Sequence, residues 1–461
     1  MNTIISLSVL GLLILFLGIL KKRSWLLPAI LAGLPVTLIF TFLSWDTGSI
    51  LPNRMLITDH FAVAFTAVMI ITTFLIFVFA GHYYKPVQRS LDDIYAILIF
   101  ALVGAVMMVS FGNLILLFLG IETLSIALYV LAGSHKEAIT SNEATLKYFL
   151  LGSFLSCFLL FGIALIYGAS GSLDLQAISA YVIRENPVHS SLFMTGLFLL
   201  IIGLAFKIAI VPFHFWAPDV YEGTPTLLTA FMATVVKTAS IVALYRLFDT
   251  CFAPIHSSWE ATLWILAVLT ILLGNLTGLY QPNLKRMLAY SSISHSGYMI
   301  LAVLAFSPVS ANALLLYAAA YSLATVTAFG ILILVRMAKG NDHFSSFAGL
   351  ARTNPLEAVC LTVSMLSLTG IPPLAGFMGK YYLFSTAMEK GFTGLAIIAL
   401  AGSAISAGYY FKPVIAMYLK EGNGIRIETG VLYRVHLVFL ALLTVLLGIL
   451  PFLVSGILRA S

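Results

Sequence analysis

The chain has 461 residues, of which 61% are hydrophobic and only 9% charged, with a mean hydropathy of +1.05. Soluble domains carry about 25% charged residues, so an ordinary water-facing surface is excluded and lipid is the expected solvent. The net charge of +6 does not mark a nucleic-acid binder, because the basic residues are not pooled in one patch.

Windows of about 20 apolar residues predict an all-α polytopic membrane protein. The chain offers fourteen spans, near 3–20, 25–43, 59–80, 93–109, 113–131, 144–168, 191–217, 224–249, 259–280, 286–306, 309–337, 355–389, 393–419 and 431–456. Span 1 does not resemble a cleaved leader: MNTIISLSVL has no basic residue, and Lys21, Lys22 and Arg23 follow the apolar run. A retained helix is expected. The longest loops, 44–58, 169–190 and 338–354, are too short to fold alone, so no soluble domain is expected.

The loop charges are asymmetric. Loops after odd-numbered spans hold fourteen basic residues, including Lys21, Lys85, Arg89, Lys136, Lys285, Arg286 and Arg336, against Arg54, Arg184, Lys390 and Arg459 on the other side. By the positive-inside rule this predicts an even number of spans with both termini on the outer face. Cys157, Cys251 and Cys360 show no CxxC spacing, so no disulfide framework, zinc site or iron–sulfur cluster is suggested.

A charge at the centre of a lone helix costs about 2.5–3.5 kcal/mol on insertion scales, and such residues usually mark an ion path. In chain order, the first is Glu122 in LGIETLSIAL of span 5. Lys147 of span 6 lies four residues after Glu143, so a surface i,i+4 pair competes with a functional role. Span 7 carries Lys207 and, five residues on, the helix breaker Pro212; span 8 carries Lys237. Arg246 and Lys412 lie near span ends and are expected to snorkel to the headgroups. His295, in SSISHSGY of span 10, is either a satisfied core histidine or a bridging imidazole with serines beside it. Span 12, LSLTGIPPLAGFMGKYYLF, again combines prolines, Pro372 and Pro373, with a lysine, Lys380.

Burial and a nearby carboxylate push a lysine's proton affinity in opposite directions, so buried lysines near Glu122 are suited to carrying protons. The bland alternative is a set of ion pairs that only lock helices together. Proline also removes the amide that would bond the carbonyl four residues back. Pro212 therefore frees Ile208, and Pro372 and Pro373 free Leu368 and Thr369. In lipid such backbone is tolerated only inside protein or beside a wet cavity.

The two broken segments are five spans apart. An odd offset reverses chain direction, so a second copy is inverted, as in transporters. The expected organisation is three amino-terminal helices over 1–92, a five-helix repeat over 93–249, its inverted copy over 259–420, and a last helix over 431–461. The lysines do not superpose, since Lys207 precedes its proline and Lys380 follows its pair. The expected proton order runs from Lys147 near the inner face through Glu122 and Lys207, Lys237 and His295 to Lys380.

Five strings, NEATLKYFLLGSF (142–154), YGASGSLDL (167–175), FKIAIVPFHFWAPDVYEGTPT (206–226), KRMLAYSSISHSGY (285–298) and TGIPPLAGFMGK (369–380), carry a family resemblance. The chain resembles the proton-translocating membrane family shared by respiratory complex I and multi-subunit cation/proton antiporters, over about residues 93–420. The resemblance implies a fourteen-helix core with two inverted five-helix repeats, and a proton path through Glu122, Lys207, Lys237 and Lys380. It also implies a bacterial inner-membrane location beside antiporter-like and small membrane-arm subunits. No cofactor is expected in this chain; NADH, FMN, iron–sulfur clusters and quinone belong to partner subunits. Longer relatives carry a lateral helix after span 14, which this sequence is expected to lack. The same residues would also serve a sodium/proton antiporter subunit, although sodium prefers several oxygen ligands and Glu122 is the one clear mid-span carboxylate.

Overall fold

A computed structural model describes residues 1–45, 54–84, 91–422 and 426–459. Lys85 and Arg89, used in the loop-charge argument, lie outside the described residues. The described chain is helical throughout its apolar stretches, with only isolated bridges such as Asn113 with Asp174 between loops.

Spans 1 to 6 are Asn2–Ile19, Arg23–Phe42, His60–Tyr83, Asp92–Val109, Leu114–Ala132 and Ile139–Ser170. Polar side chains close the exposed amides of spans 3 and 5. Asp59 accepts from the Ala62 amide at 2.7 Å to start span 3, and Asn113 accepts from Ile115 at 2.8 Å to start span 5. Span 6 ends at Gly171, whose φ of 71° is the left-handed conformation that glycine takes without steric cost. A short amphipathic helix, Leu175–Glu185, then buries Leu175, Ile178 and Val182.

Span 7 is broken into Ser191–Ile208 and Trp216–Gly223. Span 8 runs from Thr226 through a π turn at Met232–Val236 into Lys237–Leu247. Spans 9, 10 and 11 are His256–Leu279, Leu284–Ala305 and Pro308–Lys339. Span 12 is also broken, into Pro355–Thr369 and Ala375–Glu389; spans 13 and 14 are Thr393–Leu419 and Val431–Ile449. Twelve stretches are long and apolar enough to cross a bilayer. One of them, Thr226–Leu279, has 54 residues and contains two crossings, and the halves of span 12 supply another. Among the described residues there are thus fourteen passes.

Spans 10 and 11 form the centre: 94% of the apolar window of each is buried, against 28% for spans 1 and 2 at the rim. Small residues set the helix spacing, because between helices in lipid close packing must replace the hydrophobic drive. At spans 4 and 5, a Cβ on Gly104 would come within 2.6 Å of the Leu124 nitrogen, and one on Gly120 within 2.9 Å of the Met108 nitrogen. Spans 6 and 7 touch in the same way, with Gly162 and Gly196 each facing the other's carbonyl. The largest helix contacts pair span 4 with 5, 6 with the first half of 7, 9 with 10, 1 with 4, and 11 with the second half of 12.

Candidate functional site

The break in span 7 sets up the first cluster. Its first half ends at Ala209 in a left-handed turn (φ 60°), leaving Lys207 in the last turn, where the negative end of the helix dipole favours a cation. Lys207 is buried and donates to Ser125 Oγ at 2.8 Å and, more distantly, to Tyr129 OH at 3.4 Å. Ser125 passes its own hydroxyl hydrogen to the Ile121 carbonyl. Glu122, one turn from Ser125 on span 5, is half-buried and accepts from Ser156 Oγ at 2.6 Å. Glu122 and Lys207 therefore share one layer without touching, and two serines stand between the charges and their surroundings.

The freed carbonyl of Ile208 is satisfied by protein. Ser296 of span 10 donates to it at 2.7 Å, and Ser296 accepts in turn from Lys237 Nζ at 2.6 Å. Lys237, which begins the helix after the π turn, also donates to the Ser292 carbonyl. The Val211 amide, beside the break, donates to Thr270 Oγ1 at 3.0 Å, and Trp216 Nε1 donates to the Phe206 carbonyl at 3.0 Å. One serine thus joins the break of span 7 to the lysine of span 8.

The break in span 12 repeats the arrangement. Lys380 Nζ donates to both freed carbonyls, Leu368 at 2.9 Å and Thr369 at 2.8 Å, and to Ser403 Oγ at 2.7 Å. Ser403 itself donates to the Thr369 carbonyl at 2.9 Å. In each half a buried lysine bonds a serine that bonds a carbonyl at a half-helix end. Each break also holds a cis X-Pro bond, at Val211–Pro212 and Pro372–Pro373.

His295 lies between these lysines. One ring nitrogen is 2.5 Å from Tyr317 OH and the other 3.0 Å from Tyr410 OH, which contacts Ser291. The imidazole and Lys380 line one cavity of about 10 Å³ with Tyr317, Tyr321, Ser367 and Gly376, close to the space a single water needs. His295 is thus both satisfied and positioned against Lys380.

Lys147 stands apart. Its side chain is 40% exposed and bonds Glu143 and Asp219, each at 2.7 Å. Asp219 pairs with Arg286 at 3.0 Å, and Arg286 pairs with Glu222. Both competing readings of Lys147 thus meet a third fact, a partner on the second half of span 7.

Arg246 corrects an expectation. Instead of snorkelling, its side chain is buried, pairs with Asp59 at 2.5 Å and lies 5.1 Å over the Phe61 ring. The cause is span 3, which covers the end of span 8 and supplies the carboxylate already capping its own first turn. Lys412, half-buried, donates to the Leu279 carbonyl. Ser125, Ser156, Ser296, Ser403, Tyr317 and Tyr410 were not singled out from sequence by partner; only the hydroxyl-rich SSISHSGY string signalled any of them. Lys285, counted above as a loop residue, is completely buried.

The model of the family described as "NADH:quinone oxidoreductase/Mrp antiporter, TM" matches residues 112–406. The chain is 42% identical to the NADH-quinone oxidoreductase subunit N of Flavobacterium johnsoniae, over 100% of both chains. It is 40% identical to that of Cytophaga hutchinsonii, over 98% of both. Among solved structures it resembles a chain of respiratory complex I from Thermus thermophilus, with 34% identity, 98% coverage of each chain and a TM-score of 0.83. A chain of the Mrp complex from Dietzia, 21% identical over 99% of this chain and 96% of that one, has the same fold with a TM-score of 0.89.

Proposed function

The chain belongs to the NADH:quinone oxidoreductase/Mrp antiporter membrane family, and on that premise we propose how its buried charges work. It is a proton-translocating membrane-arm subunit of an NADH–quinone oxidoreductase, a multi-pass protein of the bacterial inner membrane that assembles with other membrane subunits. Both termini face outward in this proposal, as the loop charges favour. Redox chemistry, with NADH, flavin, iron–sulfur clusters and quinone, belongs to partner subunits, and this chain needs no cofactor of its own.

One observation carries the reading: the buried lysines meet the ends of broken helices, Lys207 by position, Lys380 through its Nζ and Lys237 through Ser296, and among the described residues they bond hydroxyls and carbonyls rather than carboxylates. A tight ion pair would hold its proton and act as structure. A lysine bonded to serines and carbonyls can exist as amine or ammonium, since the hydroxyl can reverse its hydrogen. Glu122, close to Lys207 but not bonded to it, sets how firmly Lys207 holds its proton through charge alone. Movement of charge near Glu122 would then be felt at Lys207, passed through the Ile208–Ser296–Lys237 junction, and delivered across His295 to Lys380. For scale, each charge moved against 100 mV needs about 2.3 kcal/mol.

The pairing of spans 4 with 5 and 6 with 7, echoed by 9 with 10 and 11 with 12, supports two inverted five-helix units over 93–249 and 259–420. The test is direct. The assembly that copurifies with a tag on this chain is assayed for NADH-driven quinone reduction and for proton uptake into vesicles. Both activities together are expected; sodium-dependent proton exchange without quinone reduction would overturn the reading.

A further inference from the structure

Lys285 is a completely buried lysine at the start of span 10 that the path above does not use. Its Nζ donates to the carbonyls of Glu222, at 2.9 Å, and Thr224, where the second half of span 7 ends. Among the described residues no carboxylate bonds it directly: the Glu222 side chain is taken by Arg286 and Asn283. The charged groups facing it are Glu222, Arg336 at the end of span 11 and Asp342 in the next loop. Its cradle matches that of Lys380, two backbone carbonyls at the end of a half-helix.

Helix geometry connects it to the proton path. Residues 285, 292 and 296 fall within about 40° of arc on span 10, and positions 285 and 292 are about 10 Å apart along the axis. Ser292 and Ser296 are the two residues of span 10 that bond Lys237. The space between is lined by hydroxyls. Among the described residues, Thr224 Oγ1 and Ser292 Oγ are both buried without a hydrogen-bond partner of good geometry, and the Tyr221 and Tyr321 hydroxyls face the Ser292 hydroxyl. A buried hydroxyl without a well-placed partner carries a desolvation cost that a bound water relieves, so this line suits water.

We propose that Lys285 is an inner-side loading residue for Lys237, on an inlet formed by the second half of span 7, span 8 and span 10. Its amine takes a proton from the inner face. The ammonium returns to amine as that proton passes along Thr224, Ser292 and intervening water to the Lys237 amine. The inference rests on the proton-path reading above, and the test separates the two.

In the intact complex, Lys285→Gln keeps two donors for the two carbonyls but cannot carry the proton, and Lys285→Arg keeps the charge but does not release it. Both are expected to keep NADH oxidation with an artificial electron acceptor while slowing proton uptake by about a hundredfold, the lower end for a positioned proton-transfer group. Normal proton uptake in Lys285→Gln, or full restoration by Lys285→Arg, would overturn the proposal and leave Lys285 a helix cap. Should these variants fail to assemble, Ser292→Ala decides, because among the described residues that hydroxyl holds no backbone group in place: slowed uptake supports the inlet, and normal uptake refutes it. Lys237→Ala is run in parallel. If it too pumps normally, the path itself fails; if it alone stops, only the inlet does.

Discussion

Ser296→Ala tests the junction of the two halves. The hydroxyl does two jobs: it donates to the Ile208 carbonyl freed by Pro212, at 2.7 Å, and accepts from Lys237 Nζ, at 2.6 Å. Its loss orphans a buried carbonyl, at about 1–3 kcal/mol, and removes a hydrogen bond from a charged group, at about 1.5–3 kcal/mol. The first cost falls on the break of span 7, the second on the ammonium form of Lys237. The second alone changes that lysine's protonation equilibrium by about ten- to a hundredfold. We expect the complex to assemble with a lowered thermal midpoint. Its proton uptake, followed by quenching of a pH-sensitive dye in vesicles, should fall by about tenfold or more. Ser296→Thr, which keeps the hydroxyl, should recover most of it. A Ser296→Ala complex with normal uptake and normal stability would refute the reasoning, since the hydroxyl would then serve neither partner.

Glu122→Gln should assemble, because Ser156 can still donate to the amide oxygen, but should lose most NADH-driven proton uptake in the same vesicle assay; unchanged uptake would remove Glu122 from the path. Gly104→Val places side-chain carbon 2.6 Å from the Leu124 nitrogen, and overpacking of backbone against backbone should cost about 3 kcal/mol or more, seen as loss of the assembled complex on native gels. Asp59→Ala removes the bonded carboxylate from buried Arg246 and leaves Asp249 as its facing charge, which should destabilise the complex by about 1.5–3 kcal/mol, whereas Asp59→Asn, retaining the cap acceptor, should separate that loss from the roughly 1 kcal/mol of the cap. Both are read from thermal unfolding.

Sequence made the spans and their two breaks legible because length, hydropathy and proline act locally. Glu122, Lys207, Lys237 and Lys380 stood out because a charge in an apolar run is conspicuous whatever it touches. Their partners were hidden. Ser125, Ser296 and Ser403 look like any other serine until the packing of span 5 on 7, of 10 on 8 and of 13 on 12 is known. Arg246 was misread because snorkelling assumes a free span end, and span 3 covers that end with Asp59. Lys285 was counted with loop charges because its burial comes from the end of span 7, far away in sequence. The 285, 292, 296 spacing on span 10 was the one local signal that could have found it.

The most direct test of the account is proton uptake by vesicles holding the complex purified through this chain, with and without Lys237→Ala, in sodium-free buffer with NADH and quinone. Lys237 Nζ is buried and bonds only Ser296 Oγ and the Ser292 carbonyl among the described residues. The account predicts strong uptake by the unaltered complex and its near-complete loss in the variant, with assembly intact. A Lys237→Ala complex that builds the full proton gradient at the normal rate would contradict it.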